Sequence, residues 1–218
     1  RYAIRRSATM EKDQTYALYN LTQEQLARTL MPVGEYSKDR IREMADEIGL
    51  LVAHKPDSQD ICFVPDGDYA SFIENTTDQV LPTGNFVTPE GKVLGKHKGI
   101  IHYTVGQRKG LGLALGYPAF VLEIRPETNE VVIGTYEESL TYTVRANELN
   151  FMSVEQITEP VRIFAKIRYN HKGAWCTVER TGEDEIVCTF DEPIRAATPG
   201  QAVVLYDGEY VLGGGTIL

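Results

Sequence analysis

The apolar residues of this chain change their spacing near Gly84. Before this point they recur every three or four residues, as in helices with one buried face. From Gly84 onward they alternate with polar residues in short runs separated by turn residues. This change predicts an α+β fold that is mainly β, in which helices precede a series of short strands.

Capping residues predict where the helices begin and end. Thr22 and Gln25 have the spacing of a capping box at the start of the first helix. Ser37 can cap a second helix and Gly49 can end it, and a short third helix is predicted over residues 66–75. The second helix carries an apolar stripe that we expect to lie in the core. Its members are Ile41, Met44, Ala45 and Ile48.

The strand-like runs fall into two groups. The first predicts a small central domain with a hairpin turn at Pro89, Glu90 and Gly91. Its runs are residues 86–87, 92–94, 100–105, 120–124 and 131–133. The second group is evenly spaced after Thr141, which is typical of a barrel or a sandwich. Its runs include residues 161–169, 175–179, 186–190, 202–206 and 210–212.

Charge is distributed unevenly along the chain. The net charge of −9 alone argues against a nucleic-acid partner. Residues 91–122, however, carry +5 with no acidic residue, and residues 161–180 carry +4, so the remainder carries −18. This segregation fits a polyanion-binding face on an acidic protein. It equally fits two strands whose basic sides face water.

Cys62 lies in a polar, acid-containing loop, which is an unusual place for a core thiol. The position indicates a thiol that is available to react, although a lone cysteine is more often a small buried hydrophobic residue. Asp57 and Asp60 would raise the pKa of a nearby thiol, so a thiolate needs a compensating positive charge such as Lys12 or Lys55.

The other two cysteines, Cys176 and Cys188, stand in alternating runs almost opposite each other across a predicted hairpin. We expect both to be reduced core residues, and no spacing in the chain supports a metal site. An odd number of cysteines argues against a disulfide framework and for a reducing cytoplasm. No run is long enough to span a membrane, and we expect a monomer.

Four motifs, in this order, resemble the tRNA-specific 2-thiouridylase family. They are residues 12–16 (KDQTY), 55–63 (KPDSQDICF), 106–112 (GQRKGLG) and 198–202 (TPGQA). The resemblance covers essentially the whole chain, and four motifs in family order are far more specific than any one of them.

The resemblance implies three parts. Residues 1–66 would be the C-terminal end of an ATP-pyrophosphatase-like catalytic domain with the cysteine loop, residues 67–140 a β-rich central domain, and residues 141–218 an antiparallel β-barrel. The family's nucleotide-binding loop and its other catalytic cysteine are not in this sequence. We therefore expect a C-terminal part that is inactive alone and holds no cofactor, with ATP and Mg²⁺ bound only by the intact enzyme.

The resemblance also implies an activity, the ATP-dependent transfer of persulfide sulfur to C2 of the wobble uridine at position 34 of tRNA. Cys62 matches the cysteine that carries the persulfide, supplied by a sulfur-relay protein or a cysteine desulfurase. The remaining matches imply contacts with tRNA. For Arg108 and Lys109 they imply either contact with the RNA backbone or a role in shaping the active site. The matching residues are Lys12, Asp13, Gln14, Arg168, Tyr169, Gln201, Arg108 and Lys109.

Two alternatives remain open. The chain could be a non-catalytic RNA-binding module similar to a translation-factor barrel, in which Cys62 has no chemical role. It could also be a thiol hydrolase, which requires a histidine partner for Cys62. His54 is the nearest histidine in the sequence.

Overall fold

The computed structural model describes residues 1–10, 13–55, 64, 68–77 and 82–218. The chain forms two compact units, Arg1–Lys55 together with Thr141–Leu218, and Pro56–Leu140. Four helices are described, α1 (Thr15–Leu18), α2 (Gln23–Ala27), α3 (Lys38–Glu47) and α4 (Tyr69–Thr76). The strands described are β1 (Gly84–Val87), β2 (Val93–His97), β3 (Phe120–Arg125), β4 (Glu130–Gly134), β5 (Leu140–Phe151), β6 (Val161–Lys166), β7 (Ala174–Gly182), β8 (Glu185–Arg195), β9 (Ala202–Asp207) and β10 (Tyr210–Ile217).

The C-terminal strands close into a six-stranded barrel in the order β10-β5-β8-β7-β6-β9. The α+β, mainly β prediction is therefore confirmed. Alternation explains the closure, because Ile163, Ala165 and Ile167 fill the barrel interior while Phe164 and Lys166 lie on the outer face. Strand β5 was not among the predicted runs, since few of its residues are buried and its apolar alternation is weak.

Cys176 and Cys188 lie inside the barrel as free thiols, and both are fully buried. The prediction that they are core residues is confirmed. They are not directly opposite, because Cys176 pairs with Phe190 and Cys188 pairs with Val178 across β7 and β8. The two side chains still share one face, two positions apart along the ladder.

The N-terminal segment packs against the outside of the barrel. Val211 donates a backbone hydrogen bond of 2.9 Å to Ile4, and Arg5 forms a bridge with Tyr210. A second apolar cluster fills this contact. Its buried members are Ile4, Tyr16, Leu26, Met152, Val204, Tyr206 and Val211. The outer faces of β9 and β10 are therefore core, and the segment is fixed to them.

The predicted helix caps are confirmed, but the predicted burial of the apolar stripe of α3 is not. Thr22 and Gln25 form the reciprocal capping box of α2, and Ser37 caps α3. Gly49 adopts a φ of 72°, which suits a residue that ends a helix. The expected burial of the α3 stripe is wrong, since α3 has no buried residue and Ile48 is 72% exposed. Periodicity predicts an apolar face, but nothing in the described part of the chain buries this one.

The central unit contains a four-stranded sheet in the order β2-β1-β4-β3. The predicted hairpin between β1 and β2 is confirmed, as is the turn between β3 and β4. The strand predicted over residues 100–105 is wrong, because Ile100–His102 is a 3-10 helix. His97 accepts a hydrogen bond from the backbone N–H of Gly99, whose φ of 132° turns the chain before the apolar run.

Candidate functional site

Two predicted site residues, Cys62 and Lys12, lie outside the described residues. Near the thiol in the sequence, Val64 is buried with 1% exposure. The His54 ring nitrogen Nε2 lies 3.1 Å from an Asp46 carboxylate oxygen, and its side chain is largely exposed. The proposed pairing of His54 with Cys62 therefore stays a prediction.

Asp13 begins the segment that carries α1, and its carboxylate faces the protein. Its side chain is 7% exposed. Oδ1 accepts a hydrogen bond of 2.9 Å from the backbone N–H of Thr15, which is the local turn that aspartate favours. Oδ2 lies 3.5 Å from Nε of Arg6. Both oxygens of Asp13 are thus engaged within the protein.

Arg6 belongs to the N-terminal segment, and its side chain packs against the outer face of the barrel. Its guanidinium carbon is 4.3 Å from the ring centre of Tyr206 and 5.7 Å from that of Phe164. Nε of Arg6 is buried and has no hydrogen-bond partner among the described residues, although the Asp13 carboxylate is close. The contact between Arg6 and Asp13 is therefore an ion pair without hydrogen-bond geometry.

Gln14 and Tyr169 are joined directly. Nε2 of Gln14 donates a hydrogen bond of 2.8 Å to the phenol oxygen of Tyr169. The ring of Tyr169 meets the edge of Tyr16 at 6.4 Å between centres, and Tyr16 donates to the backbone oxygen of Ala202 at 2.8 Å. Burial raises the pKa of Tyr16 to about 12. Gln14 and Tyr169 remain exposed on this buried support.

Part of the Arg168 guanidinium is hydrogen-bonded within the protein. Its Nη1 donates a hydrogen bond of 2.7 Å to the backbone oxygen of Arg195. Burial and the nearby charge of Arg195 lower its pKa, whereas Tyr16 acts in the opposite direction. A guanidinium carries five N–H donors, and the described residues accept hydrogen bonds from only one nitrogen of Arg168. We call Gln14, Tyr16, Lys166, Arg168 and Tyr169 the α1–β6 surface.

Gln201 lies in the turn that precedes β9 and is exposed. Its backbone N–H donates to Thr198 at 3.0 Å, and its carbonyl accepts from Ile217 at 2.7 Å. Gly200 holds a φ of 82°, which this turn requires. The next residue, Ala202, accepts the hydrogen bond from Tyr16. Gln201 is therefore the sequence neighbour of a residue that contacts the α1–β6 surface.

Arg108 and Lys109 are exposed on a loop of the central unit. Gln107 stabilises this loop, because its side chain accepts from Thr104 N–H and donates to the carbonyl of Lys109, each at 3.0 Å. The loop borders a recess of about 210 Å³. The recess is lined by Arg108, Gly110, Leu111, Gly112, Leu113, Leu115, Tyr117, Pro118 and Ala119.

Three family models match the chain in succession. They are described as a tRNA methyl transferase HUP domain over residues 1–66, a tRNA methyl transferase PRC-barrel domain over residues 70–135, and an aminomethyltransferase beta-barrel domain over residues 141–217. The chain is 62% identical over its full length to the tRNA-specific 2-thiouridylase MnmA of Lachnoclostridium phytofermentans. It is 52% identical to the protein of that name from Clostridioides difficile and 53% identical to that from Acetivibrio thermocellus.

The chain belongs to the tRNA-specific 2-thiouridylase family. The alignments cover all of this chain and 60–61% of the length of these relatives. The family resemblance stated from four motifs is confirmed. The relatives match along the whole chain, whereas each domain model matches one part of it.

Two cations in this region were not predicted as site residues. They are Lys166, which belongs to the α1–β6 surface, and Arg6, which contacts Asp13. Lys166 lies on the outer face of β6, with Nζ 5.9 Å from the ring centre of Tyr16 and 5.7 Å from that of Tyr169. Its alternation with Ile163 and Ala165 is a signal that could have placed it on the barrel exterior. Nothing local in the sequence could have placed Arg6 against Asp13, because their contact depends on the barrel.

The basic segment over residues 161–180 is partly neutralised in the structure. Arg162 forms an ion pair with Asp191 at 2.7 Å and stacks over Trp175, and Arg180 donates to Gln156 at 2.7 Å. Its net charge therefore overstates the positive charge that a ligand would meet. No group of three or more metal-ligating side chains occurs in the described part of the chain, and no described helix is long and apolar enough to span a membrane.

Proposed function

We propose that this chain supplies the sulfur-carrying thiol and the RNA-binding parts of a tRNA 2-thiouridylase. The observation that carries this proposal is 62% identity over the whole chain to a protein named tRNA-specific 2-thiouridylase. The reaction would replace O2 of the uridine at wobble position 34 by sulfur. Since the chain spans 61% of that relative, the activity is proposed for the whole protein.

The chemistry requires an activated oxygen and a good sulfur nucleophile. O2 of uridine belongs to a urea-like carbonyl and is a poor leaving group, and adenylation by ATP with Mg²⁺ would convert it into a good one. The glycines of residues 106–116 have neither P-loop nor dinucleotide-fingerprint spacing, so we assign no ATP-binding residue in this chain.

Cys62 would carry the sulfur as a persulfide. Its thiolate would attack the outer sulfur of a persulfide on a relay protein or a cysteine desulfurase, and the donor thiolate would leave. Cys176 and Cys188 do not suit this role, because both are buried in the barrel. A loop thiol can face a protein donor first and an RNA acceptor second, as the two exchanges require.

The α1–β6 surface would hold the tRNA. Gln14 can both donate to and accept from a base edge, and Tyr169 offers an exposed ring for stacking. Arg168 and Gln201 would add further contacts with the tRNA, and Lys12 would meet a phosphate. Arg108 and Lys109 would either contact the RNA backbone or shape the active site. The target base must leave its stack before C2 can be reached. We propose that Asp13 positions Gln14 and does not touch RNA, since both its oxygens are engaged.

The thiol assignment can be tested by sulfur loading. The protein is incubated with a cysteine desulfurase, its relay protein and cysteine, and then mapped by peptide mass spectrometry. We expect one added sulfur atom on the Cys62 peptide and none after Cys62→Ser. The matched control is His54→Ala, which should load fully. Loading that requires His54 would favour a thiol–histidine pair, and wild-type protein that gains no sulfur would favour a non-catalytic RNA-binding module.

A further inference from the structure

Lys166 is a half-buried cation on the outer face of β6. Its ammonium lies within 6 Å of two aromatic ring centres, those of Tyr16 and Tyr169. Burial lowers its pKa, Asp13 acts in the opposite direction, and Arg6 lowers it further. The ring faces replace part of the water that an ammonium loses on burial, but they supply no hydrogen-bond acceptor.

Asp13 is the carboxylate whose charge acts on Lys166. Its two oxygens already have other partners. Thr15 and Arg6 occupy its two oxygens. No carboxylate or carbonyl in the described ranges accepts a hydrogen bond from Lys166. A partly desolvated ammonium with three donors and no acceptor is costly unless a ligand supplies one.

The surroundings add further positive charge. Arg168 is the next residue but one, and His171 is held neutral because burial, Arg168 and Lys166 lower its pKa to about 4. Arg6 and Lys166 share a single carboxylate, that of Asp13, and Arg168 adds a third positive charge whose described acceptors are backbone oxygens. The uncompensated charge lies beside Tyr169 and Gln14, which are exposed.

We infer that Lys166 binds a backbone phosphate of the RNA that occupies the α1–β6 surface. The inference rests on the proposed function, because it takes the RNA to be tRNA. A phosphate oxygen would supply the missing acceptor and the negative charge at once. Exposed aromatic and amide side chains next to a cation suit a nucleotide, whose base can stack while its phosphate is held.

The test is the salt dependence of tRNA binding by the whole protein, with an unmodified tRNA transcript as the probe. Lys166→Met keeps the length of the side chain and removes one charge. We expect the slope of log K against log salt to fall by about one and the affinity to fall about tenfold at moderate salt. Lys166→Arg should keep most of the wild-type slope.

Arg162→Met is the matched control. Arg162 lies on the same strand and the same face, and the variant removes the same charge, but Asp191 already neutralises it. A general field effect would weaken both variants equally, and that result would overturn the inference. An unchanged slope in a folded Lys166→Met protein would also overturn it.

A second measurement needs no variant. Acetylation of lysines in the wild-type protein, with and without the tRNA, should show protection of Lys166 and less protection of Lys38, which is not a member of the α1–β6 surface. Equal acetylation of Lys166 in both samples would contradict the phosphate contact. Failure of the wild-type protein to bind tRNA at all would instead overturn the proposed function, so the two failures are distinguishable.

Discussion

Gln14 and Tyr169 are 155 positions apart in the chain, yet the amide of one donates a 2.8 Å hydrogen bond to the phenol oxygen of the other. The family resemblance implies tRNA contact for both, for Gln14 through the motif over residues 12–16 and for Tyr169 through a match in the barrel outside the four motifs. The barrel and the segment that packs on it bring the two residues to one surface. The two side chains are therefore expected to act on a ligand as a pair.

This pairing predicts coupled effects on tRNA binding. Tyr169→Phe keeps the ring and removes the acceptor that orients Gln14. We expect Gln14→Ala to weaken binding less in the Tyr169→Phe background than in the wild type, with a coupling energy of about 0.5–1 kcal/mol. Binding titrations of the four proteins give this energy directly. Fully additive losses would show that the hydrogen bond does not organise the ligand contact.

The burial of Asp13 predicts a loss of stability. Asp13→Asn leaves the partly buried Arg6 without its counter-charge, so we expect the free energy of unfolding to fall by about 1–3 kcal/mol. Glu24→Gln is the control, because it breaks an exposed ion pair with Arg28 and should cost about 0.5 kcal/mol or less. Denaturant unfolding of both variants measures the difference. Equal small losses would mean that the ion pair of Asp13 with Arg6 contributes little.

Much of the fold followed from local patterns. The capping box of Thr22 and Gln25 and the turn at Gly91 need no distant partner, so the sequence alone predicted them. The strand-like run over residues 161–169 predicted β6, and its alternation matches the residues that the structure places inside the barrel. The 3-10 helix at Ile100–His102 depends on a buried histidine and a glycine turn, and the exposure of α3 depends on what packs over it. Neither is encoded by residue spacing.

The candidate site divides in the same way. The family resemblance implies tRNA contact for Gln14 and Tyr169, and the structure shows a hydrogen bond between the two side chains. It could not predict that Asp13 points inward, because that orientation depends on Arg6 lying between Phe164 and Tyr206. In the sequence, Lys166 is only one basic residue among several, since its distinguishing property is that none of the described residues accepts a hydrogen bond from it.

His171 predicts a pH-dependent stability. Its pKa is lowered to about 4 by burial first, and then by Arg168 and Lys166, whereas the unfolded value is near 6.5. Between these values the unfolded chain binds a proton that the folded protein does not. The stability present above pH 6.5 should therefore be lost progressively as the pH falls towards 4.

His171→Gln should flatten this part of the pH profile. The difference between the unfolding free energies of wild type and variant, measured from pH 7 to pH 4, isolates the contribution of this one side chain from that of the carboxylates. The backbone N–H of Ile167 donates to Nδ1 of His171, and the glutamine oxygen can accept in its place. Parallel profiles for the two proteins would show that His171 titrates normally in the folded state.

The three cysteines predict a sharp contrast in reactivity. Cys176 and Cys188 are fully buried in the barrel, and the hydrogen bond between the Cys188 thiol and Cys176, together with burial, raises the pKa of Cys188. Because the thiolate is the reactive form, both should resist alkylation by iodoacetamide at pH 8 while the protein is folded. Cys62, which the sequence predicts to lie in a polar loop, should be labelled. Among the peptides of this chain, mass spectrometry should find one labelled cysteine under native conditions, three in denaturant, and none in native Cys62→Ser. Native labelling of Cys176 would mean that β7 and β8 separate readily, and a Cys62 that stays unlabelled in the native protein would remove the basis for its role in sulfur transfer.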